Sequence, residues 1–175
     1  MFKRSLNQQL ASQAKNKGIC KEWHKDLQNT TDRTAMVEMY LRGIDFCLKN
    51  DFPANDFIKA HFGDIAPRMG VFVDSEISVE NKPKCVCLGS TLGKVSNNGF
   101  NVSEVFVKHD SEINLVAADD AFVVIDVFDN SVVNIYAHDR AKVCVNQYGD
   151  RAMVNIISRD PETHVKIRVK HSNSY

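Results

Sequence analysis

The sequence predicts an α+β protein: an N-terminal helical cap over residues 1–66, then a short parallel β-solenoid over residues 67–175 with about ten residues per strand and two strands per coil. Three observations lead there. Apolar residues recur at helical spacing as far as Phe62, and beyond "GDIAPRMG", residues 63–70, they alternate at strand spacing. A small residue followed by alternating aliphatics then recurs almost evenly: Ser111, Ala121, Ser131, Ala141, Ala152 and Thr163 lie 10, 10, 10, 11 and 11 residues apart. Wound two strands to a coil, that repeat gathers chemically alike outward residues into columns.

Ser5 can cap a first helix, since Leu6, Leu10 and Ala14 lie four apart and Gly18 follows as a stop. In "GICKEWHKDLQ", Ile19, Trp23 and Leu27 repeat the spacing and give a second short helix. Thr30, Thr31 and Asp32 supply caps for the clearest one, whose Met36, Val37, Tyr40, Leu41, Ile44, Cys47 and Leu48 form one broad stripe that must be buried. Pro53 stands near the start of a further helix, with Phe57, Ile58, His61 and Phe62 as its apolar patch and Gly63 as its stop.

The repeat itself is read strand by strand. Ser111 leads into Ile113, Leu115 and Ala117; Ala121 into Val123, Ile125 and Val127; Ser131 into Val133, Ile135 and Ala137. Ala141 leads into Val143 and Val145, Ala152 into Val154 and Ile156, and Thr163 into Val165, Ile167 and Val169. Just before each small residue stands Asp110, Asp120, Asn130, Arg140, Arg151 or Glu162, a polar corner at a tight bend. An antiparallel meander would call for Asn-Gly or Asp-Gly hairpins, and "NNG" at residues 97–99 lies outside the regular region. A solenoid forces equal path length per coil, which the spacing shows. Upstream, "VFVDSEISVE", "KCVCLG" and "SEVFVKH" alternate without that spacing, so the first coils are expected to be irregular or interrupted by loops.

Two strands per coil stack Asn114, Asn134 and Asn155 in one column and Val116, Tyr136 and Ile157 in another. The opposite face stacks Phe128 on Tyr148, and Asp126 on Asn146 and Arg168. Side-chain amides in register can hydrogen-bond along such a stack. Three strands per coil would break the Asn column. Val116, Phe122, Val124, Phe128, Val132, Tyr136, Tyr148 and Ile157 are then exposed outward positions that seek cover.

Composition excludes more than it identifies. Lys plus Arg and Asp plus Glu each number 22, which leaves no net field to draw the chain to nucleic acid, an anionic membrane or an acidic substrate. No run approaches the roughly 18 apolar residues of a membrane span, and "MFKRSLNQQLASQAKNKG" lacks a signal peptide's apolar stretch. No membrane insertion and a cytoplasmic location are expected. Five cysteines, Cys20, Cys47, Cys85, Cys87 and Cys144, sit mostly in apolar pattern and read as reduced, buried thiols rather than a disulfide framework.

Sites of chemistry are sparse. Cys85 and Cys87 point the same way on a strand, with His109 downstream but no second ligand pair at zinc spacing. Cys20 and His24 lie one helical turn apart and make no closed site. "LGSTLGK" at residues 88–94 has glycines but no Gly-Lys-Ser or Gly-Lys-Thr, so it reads as a loop. No catalytic residue, cofactor or metal ligand is assigned. The binding candidates are Tyr136, His138, Arg140, Tyr148, Arg159, Lys166 and Arg168: a polar cluster at one corner, two aromatics, and part of the basic row His164, Lys166, Arg168 and Lys170 on the last strand. A charged row on a terminal strand discourages edge-to-edge pairing; its other reading is an anion-binding strip.

The repeats "SEINLVA", "AFVVIDV", "SVVNIYA", "AKVCVNQ" and "AMVNIIS" resemble short parallel β-helix proteins such as the bactofilins and the head GIN domains of autotransporter adhesin type, over residues 103–170. The resemblance implies a right-handed, non-enzymatic scaffold of bacterial or phage origin, virion-associated if phage-encoded. The helical leader departs from both families, and no functional residue carries over. The resulting expectation is a structural or interaction module whose solenoid faces or ends meet a protein partner or another copy of itself. Two alternatives stand beside it: a small polysaccharide-acting enzyme using Asp139, Arg140 and Arg159, and an oligomeric binder that sequesters a small anionic ligand.

Overall fold

A computed structural model describes residues 4–175 as five helices followed by eleven strands. The chain divides into two compact units, one running through Met69 and one from Gly70 to Ser174.

The first unit holds α1 (Leu6–Asn16), α2 (Lys21–Asn29), α3 (Arg33–Arg42), α4 (Ile44–Asn50), α5 (Asn55–Phe62) and a 3-10 turn at Ala66–Met69. Gln8 reaches back to the Ser5 backbone N–H at 3.2 Å, and Asp32 accepts from the Ala35 N–H at 2.7 Å. Both starts are therefore side-chain capped. The single stripe expected over residues 36–48 is carried by two helices, because the chain breaks at Gly43. The ring of Trp23 lies over Gly43, at ordinary van der Waals distance from where a Cβ would stand. Met36, Val37, Ile44, Cys47 and Leu48 are buried as expected, whereas Tyr40 and Leu41 are half-buried. Arg33 at the start of α3 donates to the His61 carbonyl at the end of α5 and to both oxygens of Asp64, tying the ends of the unit together.

In the second unit every strand pairs with the strand two places earlier, always in parallel. One sheet contains β1 (Val71–Val73), β3 (Lys84–Leu88), β5 (Val102–Val107), β7 (Phe122–Val127), β9 (Lys142–Tyr148) and β11 (His164–Lys170). The other contains β2 (Glu76–Glu80), β4 (Leu92–Asn97), β6 (Glu112–Ala117), β8 (Val132–Ala137) and β10 (Met153–Arg159). This is a β-solenoid with two strands per coil. Between the sheets lie the repeated aliphatics: Ile113, Val123, Val133 and Val143 are each 0% exposed, with Val154 and Val165 packed against them.

Each bend from β3–β4 to β9–β10 places one residue in the left-handed region. Gly89, Gly99, His109, Asp119, Asp129, Asp139 and Gly149 recur every ten residues with φ between 56° and 71°. Glycine adopts that conformation freely, and Asp, Asn and His tolerate it better than other side chains. In the regular coils this residue stands two places before the small one, so the bend is set one position earlier than the polar corners suggested.

The first coils depart from the template as expected. Val71 pairs with Val86 and Glu76 with Leu92, so the opening coil is shorter than the later ones, in which Glu112 pairs with Val132. Gly93 occupies the column of Ile113 with φ 140°, and a Cβ there would fall 2.0 Å from the Ile77 carbonyl oxygen. Asn97 and Ser103 stand where later coils have Ala117 and Val123, and they hydrogen-bond to each other inside the core. The Asn97 Nδ2 has no partner. Replacing both partners of a buried polar pair with apolar groups is near neutral or stabilising, whereas removing one leaves an orphan. Because Ser103 Oγ also donates to the Lys82 carbonyl at 2.6 Å, Ser103→Val alone is expected to lower the urea unfolding free energy by about 1–3 kcal/mol, and adding Asn97→Ala, which removes the orphaned amide, to recover part of that loss.

Candidate functional site

The polar columns are arranged as the two-strand coil requires. Asn155 donates to Asn134 at 3.0 Å and Asn134 to Asn114 at 3.1 Å, while Asn146 donates to Asp126 at 2.7 Å. The Phe128 and Tyr148 rings stack at 4.5 Å with planes 16° apart. Two expectations fail here. Phe128 is fully buried and Tyr148 nearly so, rather than exposed. Ile157 leaves the Val116–Tyr136 column, because β10 bulges between Ile156 and Ser158 and Ser158 takes its place opposite Tyr136. That extra residue accounts for the final 11-residue interval.

His138, Arg140 and Arg159 share the corner that joins β8 to β9 and β10 to β11. His138 Nδ1 lies 3.7 Å from Asp160 Oδ2. Arg140 holds Asp120, one coil back, through Nε and Nη2 at 2.8 and 2.7 Å, and this contact keeps the Asp120 carboxyl below its usual range. Asp139 belongs to a vertical chain: it accepts from the Asp119 N–H at 3.1 Å, and its own N–H donates to Asp160 at 2.8 Å. Gly99 N–H donates to Asp119 in the same column at 2.8 Å. Tyr136 is half-buried on the outward face of β8, and Tyr148 sits apart from this cluster, on Phe128. Arg159 and Lys166 both line a shallow hollow of about 470 Å³, with Phe122, Lys142 and His164 beside them. Lys166 and Arg168 project outward from β11 over Cys144 and Asn146.

The thiols divide by environment. Cys85 and Cys87 face the core with sulfurs 3.8 Å apart, and their mutual hydrogen bond together with burial pushes the Cys87 thiol well up. Burial pushes the Cys47 thiol up to about 12, which keeps it protonated and inert. Cys20 is exposed and Cys144 half-buried, so the expectation of buried thiols fails for these two: Cys20 stands at a helix start and Cys144 on an outward strand position. Among the described residues no group of three or more His, Cys, Asp or Glu is placed to hold a metal. Within residues 88–94, Gly89 and Ser90 form a coil corner, where Gly89 N–H donates to His109 Nδ1 at 3.0 Å and Ser90 N–H to Asp74 at 2.9 Å, while Gly93 lies in β4 rather than in a loop.

What the sequence reading did not specify is which core residues are uncovered at the end of the solenoid. Ile156, Ile167 and Val169 belong to the inward set, yet they are 40%, 38% and 57% exposed, because β10 and β11 are the outermost strands of their sheets. One coil earlier Ile135 and Val145 are 0% exposed, and in the opening coil Val71 and Ile77 are buried. The exposure is confined to one end. Among the described residues, five of the eight exposed large apolar side chains lie on β10 and β11: Met153, Ile156, Ile157, Ile167 and Val169. The inward pattern and the basic terminal row were legible in these strands, but the inward residues themselves alternate as they do in the buried coils.

The chain matches no family model, no curated protein and no solved structure. No described helix is long and apolar enough to cross a membrane.

Two measurements test whether the corner is structural. Asp139→Ala loses both the side chain that tolerates φ 56° and a coil-to-coil acceptor, and should lower the urea unfolding free energy by about 1–2 kcal/mol. Asp139→Gly should recover part of that loss. The Asp120 contribution is present above the ordinary aspartate value of 3.8 and is lost as pH falls through the depressed folded value. The stability gap between wild type and Arg140→Ala should therefore be visible at neutral pH and close in acid; a gap that widens on acidification would contradict the assignment.

Proposed function

We propose that this chain is a non-enzymatic protein-interaction module whose binding surface is the open end of its solenoid. The carrying observation is the terminal coil, where core aliphatics lie in water beside strand edges that have no neighbour. Contiguous apolar surface and unpaired edges are features that soluble proteins ordinarily hide or use. The outward faces offer less, since Val116, Phe122, Val124, Val132 and Tyr136 are half-covered within their columns. A glycan-cleaving corner is supported less well, because Asp139 and Arg140 are engaged with neighbouring coils. The likeness to bactofilins and head GIN domains is one of repeat pattern, and the scaffold role it implies agrees with this reading without carrying it.

The test compares an end variant with a face variant. Proteins retained from the native host's extract by the immobilised chain should be lost with Ile156→Asp/Val169→Asp and kept with Tyr136→Ala, thermal melts showing both variants folded. If retention is indifferent to the end substitutions and fails with the face substitution, the binding surface lies elsewhere.

A further inference from the structure

The end strand carries its own specification of what it can receive. From His164 to Lys170, β11 alternates basic and aliphatic residues without interruption: His164, Lys166, Arg168 and Lys170 outward, Val165, Ile167 and Val169 inward. All four basic side chains are exposed, and none takes part in an ion pair among the described residues. One edge of the strand is paired with β9, and the other presents alternate N–H and C=O groups to solvent.

A strand laid along that edge would meet two demands at once. Its residues level with Val165, Ile167 and Val169 must be apolar, to cover the exposed core. Its residues level with Lys166, Arg168 and Lys170 must be anionic, because opposite charges attract across neighbouring strands and like charges repel. Main-chain bonds supply affinity, and alternate side chains supply specificity.

We infer that the open end receives an extended segment of a partner protein in which acidic and apolar residues alternate, added as a strand along the free edge of β11. This rests on the reading of the end as the interaction surface and names the chemistry of its occupant. A second copy fits less well. Two β11 strands paired antiparallel about Ile167 would set Lys166 of each opposite Arg168 of the other, cation against cation. The chain's own β2, with Glu76, Ser78 and Glu80 alternating with Ile77 and Val79, has the right pattern, but its Ile77 is already buried.

Fluorescence anisotropy on the full chain tests this with three labelled seven-residue peptides: glutamate alternating with valine, threonine alternating with valine, and the glutamates and valines of the first in two blocks. The alternating acidic peptide should bind at least about tenfold more tightly than the other two. Its affinity should fall as salt screens the charges, and Lys166→Glu/Arg168→Glu should abolish it. Hydrogen exchange should show new protection in β11. Should the charge-reversal variant misfold, the salt dependence and exchange of the wild type decide alone. Equal binding of the two alternating peptides overturns the acidic partner while leaving the end as a binding surface. Equal binding of the block peptide overturns strand addition. No peptide binding by a chain that sediments as a dimer overturns the inference in favour of a second copy. No peptide binding by a monomer overturns it and the end-surface reading together, leaving the basic row as a guard against pairing.

Discussion

Each coil rests on the one before it through the same columns of aliphatic side chains, and everything else in the β unit follows from that stacking. Ile113 lies under Val133, Val123 under Val143 and Ile125 under Val145, all excluded from water. Two parallel sheets that face each other this closely leave an interior filled by branched side chains and by little else. The interior is lined by these packed aliphatics, so the polar groups that could recognise a ligand stand on faces, corners and ends. Burial of the repeated positions supplies the driving force, and the shared path length of the coils makes it cumulative along the stack.

Polar columns fix how the coils lie over one another. Apolar contact tolerates sliding, but an amide bonded to the amide above it does not. The Asn114–Asn134–Asn155 stack, the Asp126–Asn146 bond and the chain of aspartate carboxylates receiving N–H groups at the corners all link equivalent positions in successive coils. Carboxylates stacked in one column would repel one another if left bare. Here each accepts a backbone N–H from its neighbour, and Arg140 adds a cation beside them. At the opposite corner Lys108, only 5% exposed, lies 3.3 Å from Asp129, whose carboxylate also accepts from His109 N–H.

Most of the fold was legible because its determinants are periodic. Small residues before alternating aliphatics, and asparagines falling into one column, led to two parallel strands per coil. What escaped has non-periodic causes. Gly43 splits a continuous apolar stripe into two helices, and the apolar spacing on either side carries no mark of the break. The bulge at Ile157 adds a residue without altering the alternation around it. Phe128 and Tyr148 read as outward aromatics, and alternation alone cannot tell which outward positions are covered. The left-handed corners left a visible trace, Gly, Gly, His, Asp, Asp, Asp, Gly at ten-residue intervals, which becomes intelligible once it is known that the chain must turn there. Among the binding candidates, corner and strand placement and the stacking of Tyr148 on Phe128 came through, whereas the Asp120 partner that occupies Arg140 did not. At the open end the basic row of β11 was legible, whereas the degree to which Ile156, Ile167 and Val169 are exposed was not, because their alternation is the same as in the buried coils.

In the regular region Cα partners lie 20 residues apart, so a whole turn is an interchangeable unit. Removing residues 111–130 would bring Asp110 to Ser131, rejoining like corners and leaving both termini of the stack chemically as they were. Insertion of a duplicate turn would do the same. Reach can thus change in discrete increments of about 4.8 Å per turn while the surface presented at the tip stays constant, a freedom that folds with a closed core do not have.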